Sequence, residues 1–145
     1  MSTQTIAQRR AAHALACIER HLQRNRDRSE PDYGNYISYV EALPATILMN
    51  GLGQACATLL SKDEGKLDRP HGLLYADLQD WLCGNGVAAP FRDSQYHGED
   101  RLMQALCNSS QNYYLHAQTE AMAYLVWLKK FARAYLQRVE QGGDE

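Results

Sequence analysis

The chain has 145 residues, 45% of them hydrophobic and 22% charged, with a formal net charge of -2. That length suits one domain, residues 1–145, with a single core, and the balance is that of an ordinary soluble globular protein. No apolar run approaches the roughly 20 residues that cross a bilayer, and the opening MSTQTIAQRR lacks the apolar stretch of a signal peptide, so a cytoplasmic protein without membrane contact is expected.

Val, Ile and Phe are scarce while Ala, Leu, Gln and Arg are plentiful, which favours helix throughout. From Thr5 to about Arg24, Ala7, Ala11, Ala14, Leu15, Ile18 and Leu22 form one apolar stripe at helical spacing. Thr5 and Gln8 can form a capping box. Arg9, His13, Arg20 and Arg24 fall on another side within a sector of about 60°, flanked by Arg10 and His21. The segment from Arg26 to Gly34 is polar and turn-rich, hence a loop.

A second helix is expected from Asn35 to Leu43, with Pro44 starting a third, since proline suits a first helical turn. Ile47, Leu48, Leu52, Ala55, Leu59 and Leu60 supply that third helix's buried side. Gly51 and Gly53 interrupt it, and the sequence leaves open whether they permit a close helix contact or mark a break. After a charged stretch from Ser61 to Gly72, Leu74, Leu78, Trp81 and Leu82 mark a fourth helix ended by Gly84-Asn85-Gly86. Asp100 to Cys107 is a short fifth, with Leu102, Met103 and Leu106 inward. The last and longest runs from Ser110 to Val139, with Ala121, Leu125, Leu128, Ala132, Tyr135 and Val139 inward and Lys129, Lys130 and Arg133 on the other side. An all-α bundle of about six helices with a long C-terminal helix is the resulting architecture.

The search for chemistry yields little. Cys17, Cys56, Cys83 and Cys107 lack the close spacing of a zinc knuckle or redox pair and read as small buried apolar residues. Gly51-Leu52-Gly53 has neither the preceding strand nor the third glycine of a dinucleotide loop. His116 and Glu120 stand one helical turn apart, the spacing of two metal ligands, but no third ligand lies at a compatible position. Ser109 and Ser110 read as caps. No catalytic residue, metal site or cofactor is therefore assigned.

The basic residues carry more weight. Arg9, Arg10, Arg20, Arg24, Arg26 and Arg28 crowd the first part of the chain, and Glu19 is the only acid between Gln4 and Arg26. Intrahelical ion pairs therefore do not account for them. The face is either solvated surface or a track for a phosphate backbone. Trp127 and Phe131, beside Lys129 and Lys130, read as core or subunit contact in preference to a base-stacking platform.

Two stretches carry a resemblance. Leu43-Pro44-Ala45-Thr46-Ile47-Leu48-Met49-Asn50-Gly51-Leu52-Gly53-Gln54 resembles a signature of the small Cmr-type subunit of type III-B CRISPR effector complexes. Thr119-Glu120-Ala121, followed by Tyr124-Leu125 and Trp127-Leu128-Lys129-Lys130-Phe131-Ala132, is similar to that family's C-terminal helix, with Lys130 where arginine is expected. The resemblance implies a non-catalytic helical subunit in antiviral defense. Copies would stack as a minor filament beside the backbone subunits, supporting assembly and the binding of CRISPR RNA and target RNA, with cleavage left to neighbouring subunits. It also recasts Pro44, Asn50 and Gly51 as parts of a structural helix junction or an interface. Two alternatives are a type III-A small subunit and a small metal-dependent hydrolase using His116 and Glu120.

Overall fold

A computed structural model describes residues 3–26 and 33–136. Among them are six α-helices and no strand: α1 (Ile6–Arg26), α2 (Tyr33–Asn50), α3 (Leu52–Lys62), α4 (Pro70–Leu82), α5 (Arg101–Asn108) and α6 (Gln111–Phe131). A π-helical segment, Ala132–Leu136, continues α6. The all-α expectation holds, and one core joins every helix. Helix α1 lies along α6, and α2 packs on α3, α4 and α6. The loop expected between Arg26 and Gly34 falls mostly outside the described residues, as does Val139.

Helix α1 opens on the anticipated capping box: the Gln8 N–H donates to Thr5 Oγ1 at 3.0 Å, and the Thr5 N–H to Gln8 Oε1 at 2.8 Å. Ala14 and Ile18 of the apolar stripe are buried, whereas Ala7 at its start is exposed. The core boundary is shifted toward the polar side, because Cys17 and His21 are buried as well.

The expected break at Pro44 does not occur. Helix α2 runs unbroken from Tyr33 to Asn50 with Pro44 inside it. Proline removes the N–H that would bond the Val40 carbonyl, at a cost of about 3 kcal/mol. Yet Val40, Leu43 and Ile47 are all buried on one stripe that spans the proline, and burial of such side chains contributes about 1.5–3 kcal/mol each. Tertiary packing outweighs the local preference.

The chain breaks at Gly51 instead, where φ is 87°, a conformation that favours glycine. Both open glycine readings apply, one at each position. Gly51 makes the break. Gly53 permits a close approach: a Cβ there would lie 3.2 Å from the Tyr114 hydroxyl oxygen. That oxygen accepts the Gly53 N–H at 2.7 Å, and Gln118 Oε1 accepts the Leu52 N–H at 2.9 Å. Side chains of α6 thus satisfy donors in the first turn of α3, leaving a helix junction and not a phosphate loop. Leu48, expected inward, is 73% exposed, and Met49 beside it 82%.

Helix α5 lies where expected, while α4 starts earlier, at Pro70, within the stretch from Ser61 to Gly72 read as turn-rich. The Asp63 carboxylate caps α4 by accepting the N–H groups of His71 and Gly72. Ser110 caps α6, its Oγ accepting the Tyr113 N–H. At the other end the π-helical turn inserts extra length per turn, so Leu136 becomes buried while Tyr135, expected inward, is 39% exposed. Cys17 and Cys56 are buried as expected, but Cys107 is exposed.

Candidate nucleic-acid interface

Arg9, Arg10, Arg20 and Arg24 of α1 separate into two kinds once the fold brings α4 and α6 beside them. Arg10 turns inward. Its Nε donates to Glu120 Oε2 at 2.6 Å and its Nη2 to Glu120 Oε1 at 2.9 Å, a bidentate bridge to a buried carboxylate. Trp81 Nε1 donates to the same carboxylate at 2.9 Å. The hydrogen bonds to Glu120 hold the Arg10 guanidinium above its ordinary pKa. Arg10, expected from the sequence to face RNA, is therefore a structural tie between α1 and α6.

Next to it lies a second polar network. A carboxylate only accepts, so His13 Nε2 donates to Asp80 Oδ2, at 2.7 Å. His13 Nδ1 and the Tyr124 hydroxyl are 2.6 Å apart, and Cys17 Sγ lies 3.5 Å from that hydroxyl and 3.6 Å from Nδ1. Trp81 stacks on Tyr124 with ring centroids 5.4 Å apart. One helical turn on, buried His21 bonds Asp77 at 2.8 Å, and the Tyr36 hydroxyl donates to the same carboxylate. The fold thus assembles a Cys17–His13–Asp80 grouping that no local spacing announced. Its chemistry opposes nucleophilic use: burial pushes the Cys17 thiol up to about 12, whereas a reactive cysteine needs its thiolate near neutral pH.

The His13 hydrogen bond also holds the Asp80 carboxyl below its ordinary value. A depressed carboxyl adds stability above its unfolded pKa of about 3.9, and that increment disappears as pH falls through the folded value. Asp80→Asn should therefore flatten the acid limb of the stability–pH curve below about pH 4. Because Asp80 is half-exposed, the change should be only about 0.5–1 kcal/mol, read by denaturant melts at successive acid pH values.

Arg9, Arg20 and Arg24 are not drawn into the core. Arg9 has no carboxylate partner among the described residues. Arg20 Nη2 donates to Cys17 Sγ at 3.1 Å and reaches Asp80 only at 3.9 Å; Arg24 reaches Asp68 at 4.0 Å. Arg20, Arg24 and Arg101 line a groove of about 360 Å³ between α1 and the start of α5, whose acidic side is Asp77, Asp80 and Glu99. Arg101 was invisible from the sequence because only the fold carries α5 to α1.

At the far end of α6, Lys129 and Lys130 are exposed. Arg133 is held by Glu41 of α2 at 2.7 Å. Trp127 and Phe131 are half-buried, with ring centroids 5.9 Å apart. His116 is exposed while Glu120 faces the core, so the fold does not converge this pair on a metal. Among the described residues no group of three or more His, Cys, Asp and Glu side chains has metal-holding geometry. No described helix is long and apolar enough to cross a membrane.

Residues 6–135 match the family model described as CRISPR-associated protein (Cas_Cmr5).

Proposed function

Because the chain belongs to the Cas_Cmr5 family of CRISPR-associated proteins, and so is a Cmr-type small subunit of a type III-B effector complex, we propose that it acts without catalysis, holding RNA within that assembly. The observation that carries the reading is the division among its arginines. Arg10 and Arg133 are bound to carboxylates at hydrogen-bonding distance, whereas Arg9, Arg20 and Arg24 keep their guanidinium groups largely for solvent or a ligand. Arg101, Lys129 and Lys130 extend the basic surface. Such groups track phosphates without reading sequence.

With a net charge of -2, one copy offers few phosphate-binding groups, and stacked copies would add theirs at high effective concentration. The exposed Leu48, Met49 and Val126, with half-buried Trp127 and Phe131, favour packing against neighbouring copies or backbone subunits. CRISPR RNA and target RNA are the proposed nucleic-acid partners, the cytoplasm the proposed location and antiviral defense the proposed role. Against a metal-dependent hydrolase stands the Glu120 carboxylate, already occupied by Arg10 and Trp81.

Arg9→Gln, Arg20→Gln and Arg24→Gln combined should leave the melting temperature nearly unchanged and weaken target-RNA binding by the reconstituted complex. The slope of log affinity against log salt should shrink by about 0.7 for each single-strand phosphate that a copy no longer neutralises. Unchanged affinity and slope would reduce these arginines to solvated surface. Metal-dependent RNA cleavage that co-elutes with the purified subunit would overturn the non-catalytic reading.

A further inference from the structure

The loop joining α4 to α5, residues 83–100, lines a cavity away from the arginine groove of α1. About 720 Å³ in volume, this cavity lies between that loop, the end of α5 and the first turns of α6. Backbone hydrogen bonds shape the loop: the Phe91 N–H donates to the Leu82 carbonyl at 3.0 Å, and the Ser94 N–H to the Phe91 carbonyl at 3.1 Å. Buried Phe91 forms one wall, and Tyr113 stacks on it with planes 26° apart and centroids 6.4 Å apart. Tyr113 nevertheless stays 56% exposed, an aromatic platform backed on one side. Asn112 contributes an amide to the lining, and Arg92 and His116 contribute nitrogen groups. Among the described residues, the Arg92 guanidinium pairs with exposed Asp93, at 3.6 Å. Ser109 also lines the cavity, and its buried Oγ has no hydrogen-bond partner among the described residues. An unsatisfied buried hydroxyl is uncommon and calls for an explanation.

We propose that this cavity binds an unpaired nucleobase, stacked on Tyr113 and hydrogen-bonded along its edge by Asn112, with Arg92 taking the adjoining phosphate. A base has a flat π-face and a rim of donors and acceptors, which matches an aromatic wall bordered by an amide and a cation. The volume lies within the range of small-molecule sites. This inference rests on the RNA-contact reading and adds a ligand class and a second location to it.

Chemical-shift titration of the full chain with AMP, UMP, a short single-stranded oligouridylate and inorganic phosphate tests the inference. Nucleotides should shift the amides of Phe91, Asn112 and Tyr113, whereas inorganic phosphate should leave Asn112 and Tyr113 unshifted. Tyr113→Ala, at an exposed position, should weaken nucleotide binding by about fivefold or more. Whether mononucleotide or strand saturates at lower concentration identifies the source of the base, and either supports the site. Equal shifts with phosphate, shifts confined to α1, or no effect of Tyr113→Ala would overturn it. So would loss of complex assembly in Tyr113→Ala without any nucleotide response, which would assign the cavity to a partner protein. The Arg9, Arg20 and Arg24 variant separates the two readings: an unchanged salt slope with nucleotide shifts intact removes only the arginine track. A reduced slope with no shifts removes only the cavity proposal.

Discussion

Glu120→Ala should lower the melting temperature by roughly 10 °C, because it strands a guanidinium and an indole N–H that share one buried carboxylate. Removing one partner of a buried ion pair costs about 3–5 kcal/mol when both groups are enclosed. Here Arg10 is partly exposed and recovers some hydration, so about 3 kcal/mol is expected, at about 3–4 °C per kcal/mol for a domain of this size. Glu120→Gln keeps one acceptor oxygen and should cost about half as much. Differential scanning calorimetry of the three proteins measures the series. A wild-type melting temperature in Glu120→Ala would mean that the α1–α6 bridge contributes nothing to folding.

Trp81→Ala is expected to be at least as severe. The indole is buried, stacks on Tyr124 and donates to Glu120. Truncating a buried aromatic to alanine costs about 3–5 kcal/mol, to which the missing hydrogen bond adds about 1 kcal/mol. Trp127→Ala is the informative contrast. Both tryptophans lie on helices, but Trp127 is half-buried, so its removal should cost only about 1–2 kcal/mol. If Trp127→Ala melts nearly like wild type yet no longer enters the complex, its ring belongs to a subunit interface. Equal destabilisation by the two substitutions would contradict the observed burial. Because Trp81 and Glu120 share a hydrogen bond, their effects should not add: the double mutant should fall short of the sum by about 1 kcal/mol.

Apart from the boundary between α2 and α3, the helices and most of their inward faces were legible in local order along the chain. Scarce β-branched residues, the Thr5–Gln8 box, the Ser110 cap and the stripe of Ala121, Leu125, Leu128 and Ala132 all act within a few residues, where a 3.6-residue period carries the information. The family motifs were legible for the same reason, being contiguous. Tertiary structure decided what distance along the chain conceals. Pro44 stays within a helix because Val40, Leu43 and Ile47 bury together, a gain no dipeptide preference records. The end of α6 changes register through a π-helical turn, so Leu136 replaces Tyr135 inside. Arg10 belongs to the core bridge and Arg20 to the outer groove, although both are arginines on one amphipathic helix. Charge patterning within α1 treats them alike; the carboxylates that distinguish them, Glu120 on α6 and Asp80 on α4, arrive only when the helices pack, since an ion pair depends on separation in space and not on order along the chain.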